Sequence, residues 1–124
     1  MASTVKKILI IDDEADIRDT LEMALGFGGY EVEAVKGGQE ALEVVRQRSF
    51  DLIICDYRMP GMDGVETLEA LKKLAPWVPV VLVSGFLSDE NRENCISSGA
   101  FELMNKPFSL SELYSVIGRA ADAA

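Results

Sequence analysis

Histidine is absent from the 124 residues, tryptophan occurs once, cysteine twice and proline four times. Without histidine no metal site here can use imidazole, the donor most typical of zinc. Cys55 and Cys95 are too few for a disulfide framework and read as buried free thiols in a reducing compartment. Positive charge is also scarce: 12 Lys and Arg stand against 21 Asp and Glu, a net charge of −9. That balance argues against direct binding to nucleic acid and favours cations and positively charged protein surfaces. No apolar stretch approaches the ~20 residues of a helical membrane span, and Met1 to Lys7 lack the apolar core of a signal peptide. A cytoplasmic protein without a membrane segment is expected.

What the chain does contain is a set of short apolar runs that end in charge. Lys7-Ile8-Leu9-Ile10-Ile11 meets Asp12-Asp13, Leu52-Ile53-Ile54-Cys55 meets Asp56, and Phe101 to Met104 leads through Asn105 to Lys106-Pro107. Runs this short and rich in β-branched residues read as strands covered on both faces, as in a parallel sheet. Strands are predicted near 7–11, 30–35, 51–55, 78–83 and 101–104. Between them Ile17, Leu21, Ala24 and Leu25 recur at helical spacing, as do Ala41, Leu42 and Val45, then Val65, Leu68 and Leu71, and Leu110, Leu113, Val116 and Ile117. Ser109 with Glu112 forms a capping-box pattern at the start of the last helix. The stretch from Ser88 to Ser98 carries only Cys95 and Ile96 as larger apolar residues, so it is expected to form a shallowly packed helix. The alternation predicts one α/β domain over 1–124, a five-stranded parallel sheet of order 2-1-3-4-5 flanked by five helices. The alanine-rich end, Arg119 to Ala124, reads either as a fraying helix or as the start of a linker.

In that order the first and third strands are neighbours, so Asp12, Asp13 and Asp56 converge at the carboxyl edge where open α/β sheets place ligands. Like charges about 4 Å apart repel by roughly 4 kcal/mol at an effective dielectric of 20. Oxygen donors alone suit Mg²⁺ or Mn²⁺ rather than zinc. A single acid would be explained as well by capping the next helix; two adjacent acids and a third after another strand would not. Asp56, held against a cation, can attack phosphorus and form an acyl phosphate. Asp63, in Pro60-Gly61-Met62-Asp63-Gly64, reads as a turn or capping residue. Lys106 would balance the acids and pair with a phosphoryl oxygen, and Pro107 can hold the bond before it cis. Ser84, closing the run Val80 to Ser84, offers a hydroxyl to the same group.

Ile10-Ile-Asp-Asp-Glu14, Cys55-Asp-Tyr-Arg-Met-Pro-Gly-Met-Asp-Gly64, Val83-Ser84 and Asn105-Lys-Pro-Phe108, in this order, closely resemble the receiver domain of two-component response regulators. The resemblance covers essentially the whole chain and includes the single-domain chemotaxis regulators with their CheY-like, flavodoxin-like fold. It implies that Asp56 accepts a phosphoryl group from a phosphohistidine on a histidine kinase or histidine phosphotransferase. Asp12, Asp13, Asp56 and the backbone carbonyl of Arg58 would bind Mg²⁺ (Mn²⁺ as a substitute), Ser84 would be the switch hydroxyl, and Lys106 would contact the phosphoryl group. Such a domain catalyses its own phosphorylation and dephosphorylation and is no independent enzyme. An output domain or target protein and a phosphorylation-dependent dimer are compatible with it.

Two positions depart from the family pattern. Receivers usually carry Tyr or Phe three residues before the lysine, where this chain has Leu103; Phe101 lies two residues earlier and on the same strand face by parity. After the switch hydroxyl, where Ala is frequent, stands Gly85, which leaves room beside the phosphoryl group and loosens the loop. Coupling between Asp56 and the face formed by the fourth helix and last strand is therefore expected to differ from the usual scheme, unless Leu103 only fills the pocket. Arg58 and Phe86 occupy positions expected to tune dephosphorylation. A haloacid dehalogenase-like phosphatase would need an acid where Arg58 stands, and a flavin binder would need a phosphate loop where Asp12-Asp13-Glu14 stands. The remaining alternative is a receiver-like interaction module with weakened or absent phosphorylation switching.

Overall fold

The structure, a computed structural model, describes residues 5–85 and 88–123. Five β–α units follow one another: β1 (Lys7–Ile11), α1 (Ala15–Phe27), β2 (Glu31–Val35), α2 (Gly38–Gln47), β3 (Leu52–Asp56), α3 (Gly64–Leu74), β4 (Val80–Ser84), α4 (Asp89–Ser97), β5 (Glu102–Asn105) and α5 (Leu110–Ala123). All four strand pairings are parallel and the sheet order is β2-β1-β3-β4-β5. The fold class read from the alternation is the one observed.

The burial pattern explains the order. β3 and β4 are buried at every position and β1 at all but Lys7, so these strands must lie inside the sheet with helices on both faces. Glu31–Val35 is only half-buried and forms one edge; Glu102–Asn105, with only Met104 buried, forms the other. Alternation along the strands sorts the core into two clusters. Ile8, Ile10, Leu52, Ile54, Val81 and Val83 pack with Leu21 and Leu25 of α1 and Leu113, Val116 and Ile117 of α5. Leu9, Ile11, Ile53, Cys55, Val80 and Leu82 pack with Ala41, Leu68, Leu71 and Cys95 of the other three helices. Both cysteines are free and buried, as expected.

Strand boundaries shift by up to two residues from the predicted ones, most at the fourth. There the Lys72 ammonium donates to the carbonyls of Pro76 and Val78, both at 3.0 Å, which commits those residues to the connecting loop. The fourth helix forms where expected and buries only Cys95. Its exit turns through Gly99 at φ 109°, a left-handed conformation that favours glycine.

Phe101 does not share the face of Leu103. It precedes β5 and packs with the cluster of α1 and α5, whereas Leu103 packs toward α2–α4. Parity holds only within a strand, and the alternation does not extend back to Phe101.

Candidate functional site

Parallel strands deliver their carboxyl ends to one edge of the sheet, and here that edge gathers the charges. Ile11 pairs with Cys55, which places the next residues of β1 and β3, Asp12 and Asp56, side by side. Carboxylate oxygens of Asp12, Asp13 and Asp56 lie within 4.8 Å of one another. Asp12 and Asp56 are buried and Asp13 is exposed. The Lys106 ammonium donates to Oδ2 of Asp12 and to Oδ2 of Asp56, at 3.3 Å each. Its backbone N–H donates to the Ser84 carbonyl at 2.8 Å, which carries the β4–β5 ladder one step past the strand. The Lys106–Pro107 bond is cis. Ser84 is buried at the end of β4.

Local bonds set each acid in place. The backbone N–H of Glu14 donates to Oδ1 of Asp12 at 2.9 Å, and the Arg18 guanidinium donates to the Asp12 carbonyl at 2.8 Å. The N-cap of α1 is Glu14, which makes no side-chain cap bond, so capping does not account for the acidic pair. The N–H of Arg58 donates to Oδ1 of Asp56 at 3.3 Å, which brings the Arg58 main chain to the site while its side chain is exposed. Asp63 takes the capping role read for it: its side chain accepts from Glu66 N–H in a full capping box at the start of α3. Ser109 and Glu112 form the second capping box, with bonds of 3.1 and 3.3 Å.

Burial pushes the Asp56 carboxyl above its usual range; Lys106 opposes this, while the Asp12 charge adds to it. Burial works to lower the Lys106 ammonium, but Asp56 and Asp12 outweigh it and the net direction is up. The two directions agree physically, because one ammonium shared between two carboxylates holds its own proton firmly without fully offsetting the burial of Asp56. Three formal negative charges against one positive leave the pocket electron-rich. An all-oxygen donor set of this kind fits a hard divalent cation.

Two groups at the site were not singled out from the sequence. Arg18 anchors the Asp12 main chain, and its position one helical turn after Glu14 was the available signal. Beside Lys106, an apolar groove of about 530 Å³ opens between α1 and the start of α5, lined by Ile17, Ala24, Pro107, Phe108 and Leu110. A Cβ built on Gly85 would meet nothing within 4 Å, so the space beside this residue is open. Phe86 lies outside the described residues.

The sequence matches the response regulator receiver domain family over residues 8–118. It is 36% identical over 113 residues to the transcriptional regulatory protein ZraR of Escherichia coli O157:H7, covering 91% of this chain and 26% of that protein. The chain thus spans about a quarter of the length of the curated relatives it matches. Among solved structures, chemotaxis protein CheY4 of Vibrio cholerae superposes with a TM-score of 0.89 at 31% identity, covering 94% of this chain and 99% of that one. The beryllofluoride-activated NtrC4 receiver domain dimer gives 0.89 at 30% identity, with coverage of 94% and 97%. Family match, identity and sheet order agree, and the chain belongs to the response regulator receiver domains of two-component phosphorelay signalling.

Proposed function

We propose that Asp56 is the phosphoryl acceptor of this domain, with Lys106 and Ser84 serving the transferred group. The observation that carries this reading is the meeting of three carboxylates within 4.8 Å, with one ammonium 3.3 Å from both Asp12 and Asp56. An Asp56 oxygen attacks phosphorus of a phosphohistidine on a histidine kinase or histidine phosphotransferase. The phosphorus–nitrogen bond breaks, and its electron pair stays on the partner's imidazole. Asp12, Asp13, Asp56 and the Arg58 carbonyl are the groups that would hold Mg²⁺, or Mn²⁺ in its place. When bound, such a cation supplies positive charge to the transferring oxygens. Lys106 already faces Asp56 and pairs with a phosphoryl oxygen there, and the Ser84 hydroxyl closes on another. Hydrolysis returns the carboxylate and inorganic phosphate, which resets the domain.

The same reading treats 1–124 as one receiver in the cytoplasm, supported by the single sheet and the two free thiols. No described helix is long and apolar enough to cross a membrane. Its output is a protein contact, made with an output domain, a target protein or a second receiver. The partial coverage of ZraR and the dimer seen for NtrC4 support that range of partners. Incubation with acetyl phosphate and Mg²⁺, followed by intact-mass measurement, tests the proposal. One alkali-labile phosphoryl group is expected on the wild type and none on Asp56→Asn. An unmodified wild type would leave the interaction module without switching.

A further inference from the structure

The loop after Asp56, residues 57–63, is tied at three places. At its root the Gly64 N–H donates to the Tyr57 carbonyl at 2.8 Å, and a Cβ on Gly64 would lie 2.6 Å from Tyr57 Cα. At its end the Asp63–Glu66 capping box fixes the start of α3. The third tie comes from another element. Gly38, first residue of α2, is buried against the loop, and a Cβ there would stand 2.8 Å from Met62 Sδ and collide with Thr67 Oγ1.

No left-handed backbone angle demands glycine at position 38, and alanine is the better helix former. Only the close approach of α2 to α3 excludes a side chain. The Met62 thioether can swing aside, but Thr67 cannot: it is β-branched, fully buried, and its hydroxyl donates to the Asp63 carbonyl at 2.8 Å. A methyl at 38 therefore pushes through Thr67 on Asp63, and through Met62 on the residue before it. Both lie on the loop whose other end carries Arg58, with its N–H on Asp56 Oδ1.

We propose that Gly38 is a positioning residue for the cation side of the site: its missing side chain seats Met62 and Thr67, which sets the loop that presents the Arg58 main chain. This rests on the reading that the Arg58 carbonyl faces a cation held by Asp12, Asp13 and Asp56. In Gly38→Ala, Mg²⁺ affinity, followed by amide signals of 57–64, should fall on the order of tenfold, as for other residues that orient metal ligands. The phosphorylation rate with acetyl phosphate should recover at saturating Mg²⁺. Without any cation, the Gly64 amide should exchange faster than in the wild type. Adding Thr67→Ala removes the obstructing hydroxyl, while the Thr67 N–H still donates to the Asp63 carbonyl at 2.9 Å. That double variant should regain wild-type affinity. Unchanged Mg²⁺ affinity and Gly64 exchange in Gly38→Ala would overturn the proposal, as would a double variant that stays impaired. A wild type that binds no Mg²⁺ would instead defeat the reading of the site itself.

Discussion

Asp56 carries two opposing demands. On the proposed function its carboxylate accepts the phosphoryl group, yet it is buried beside Asp12 and Asp13 with a single ammonium between them. Crowded like charges in a poorly hydrated pocket cost free energy that no neighbour fully offsets. Asp56→Asn removes one of them and is expected to raise stability by about 1 kcal/mol in cation-free buffer, as substitutions at strained functional sites commonly do. Thermal unfolding with and without Mg²⁺ checks this, and the variant should gain less from the cation than the wild type. Lys106→Ala acts in the other direction. It leaves Asp12 and Asp56 facing each other unpaired, and a loss of about 1–2 kcal/mol is expected once the partial exposure of Lys106 is allowed for. Urea unfolding measures it, and Mg²⁺ should restore part of the loss.

Among the elements, α4 and α5 contrast most. α5 buries Leu113, Val116, Ile117 and Ala120, whereas α4 buries only Cys95 and is N-capped by Ser88, which accepts from Asn91 N–H at 3.2 Å. Each cap is worth about 1 kcal/mol. In Ser109→Ala that loss should appear in global unfolding, because α5 is part of the core. In Ser88→Ala it should appear as faster amide exchange within α4 and leave the melting temperature nearly unchanged, since a shallowly packed helix opens locally. The same shallow packing bears on signal output. Leu103, at the position where receivers usually carry an aromatic ring, lines a groove of about 580 Å³ with Arg92 and Ile96 of α4. Beryllofluoride added with Mg²⁺ should therefore shift the Ser84 amide more than those of Leu103 and residues 88–97. Equal shifts would show full coupling across that face.

At the scale of the whole molecule, the sheet isolates its thiols from water. Cys55 sits in the central strand and Cys95 on the buried side of α4, both free of solvent contact, and burial pushes both thiols upward. For Cys55 the charges of Asp56 and Asp12 add to that shift. Alkylation should stay slow in the folded protein as pH rises through the ordinary thiol range, and become fast on unfolding. Mass analysis after iodoacetamide treatment distinguishes the two. The sign for stability follows: the unfolded chain releases these protons first, so stability should decline as pH climbs above the ordinary thiol value.

The local pattern of residues was enough to specify the parallel sheet and its order, because strands buried on both faces need continuous apolar runs and leave a hydrophobic signature of that kind. The charged ends of those runs likewise marked Asp12, Asp13, Asp56 and Lys106, since a parallel sheet sends every strand's carboxyl end to one edge. What only the tertiary structure decided are contacts between elements distant in the chain. Gly38 against Thr67 and Phe101 turning to the face opposite Leu103 depend on how helices and edges pack. Periodicity fixes which face of an element is apolar, but not which atom of another element comes to lie against it.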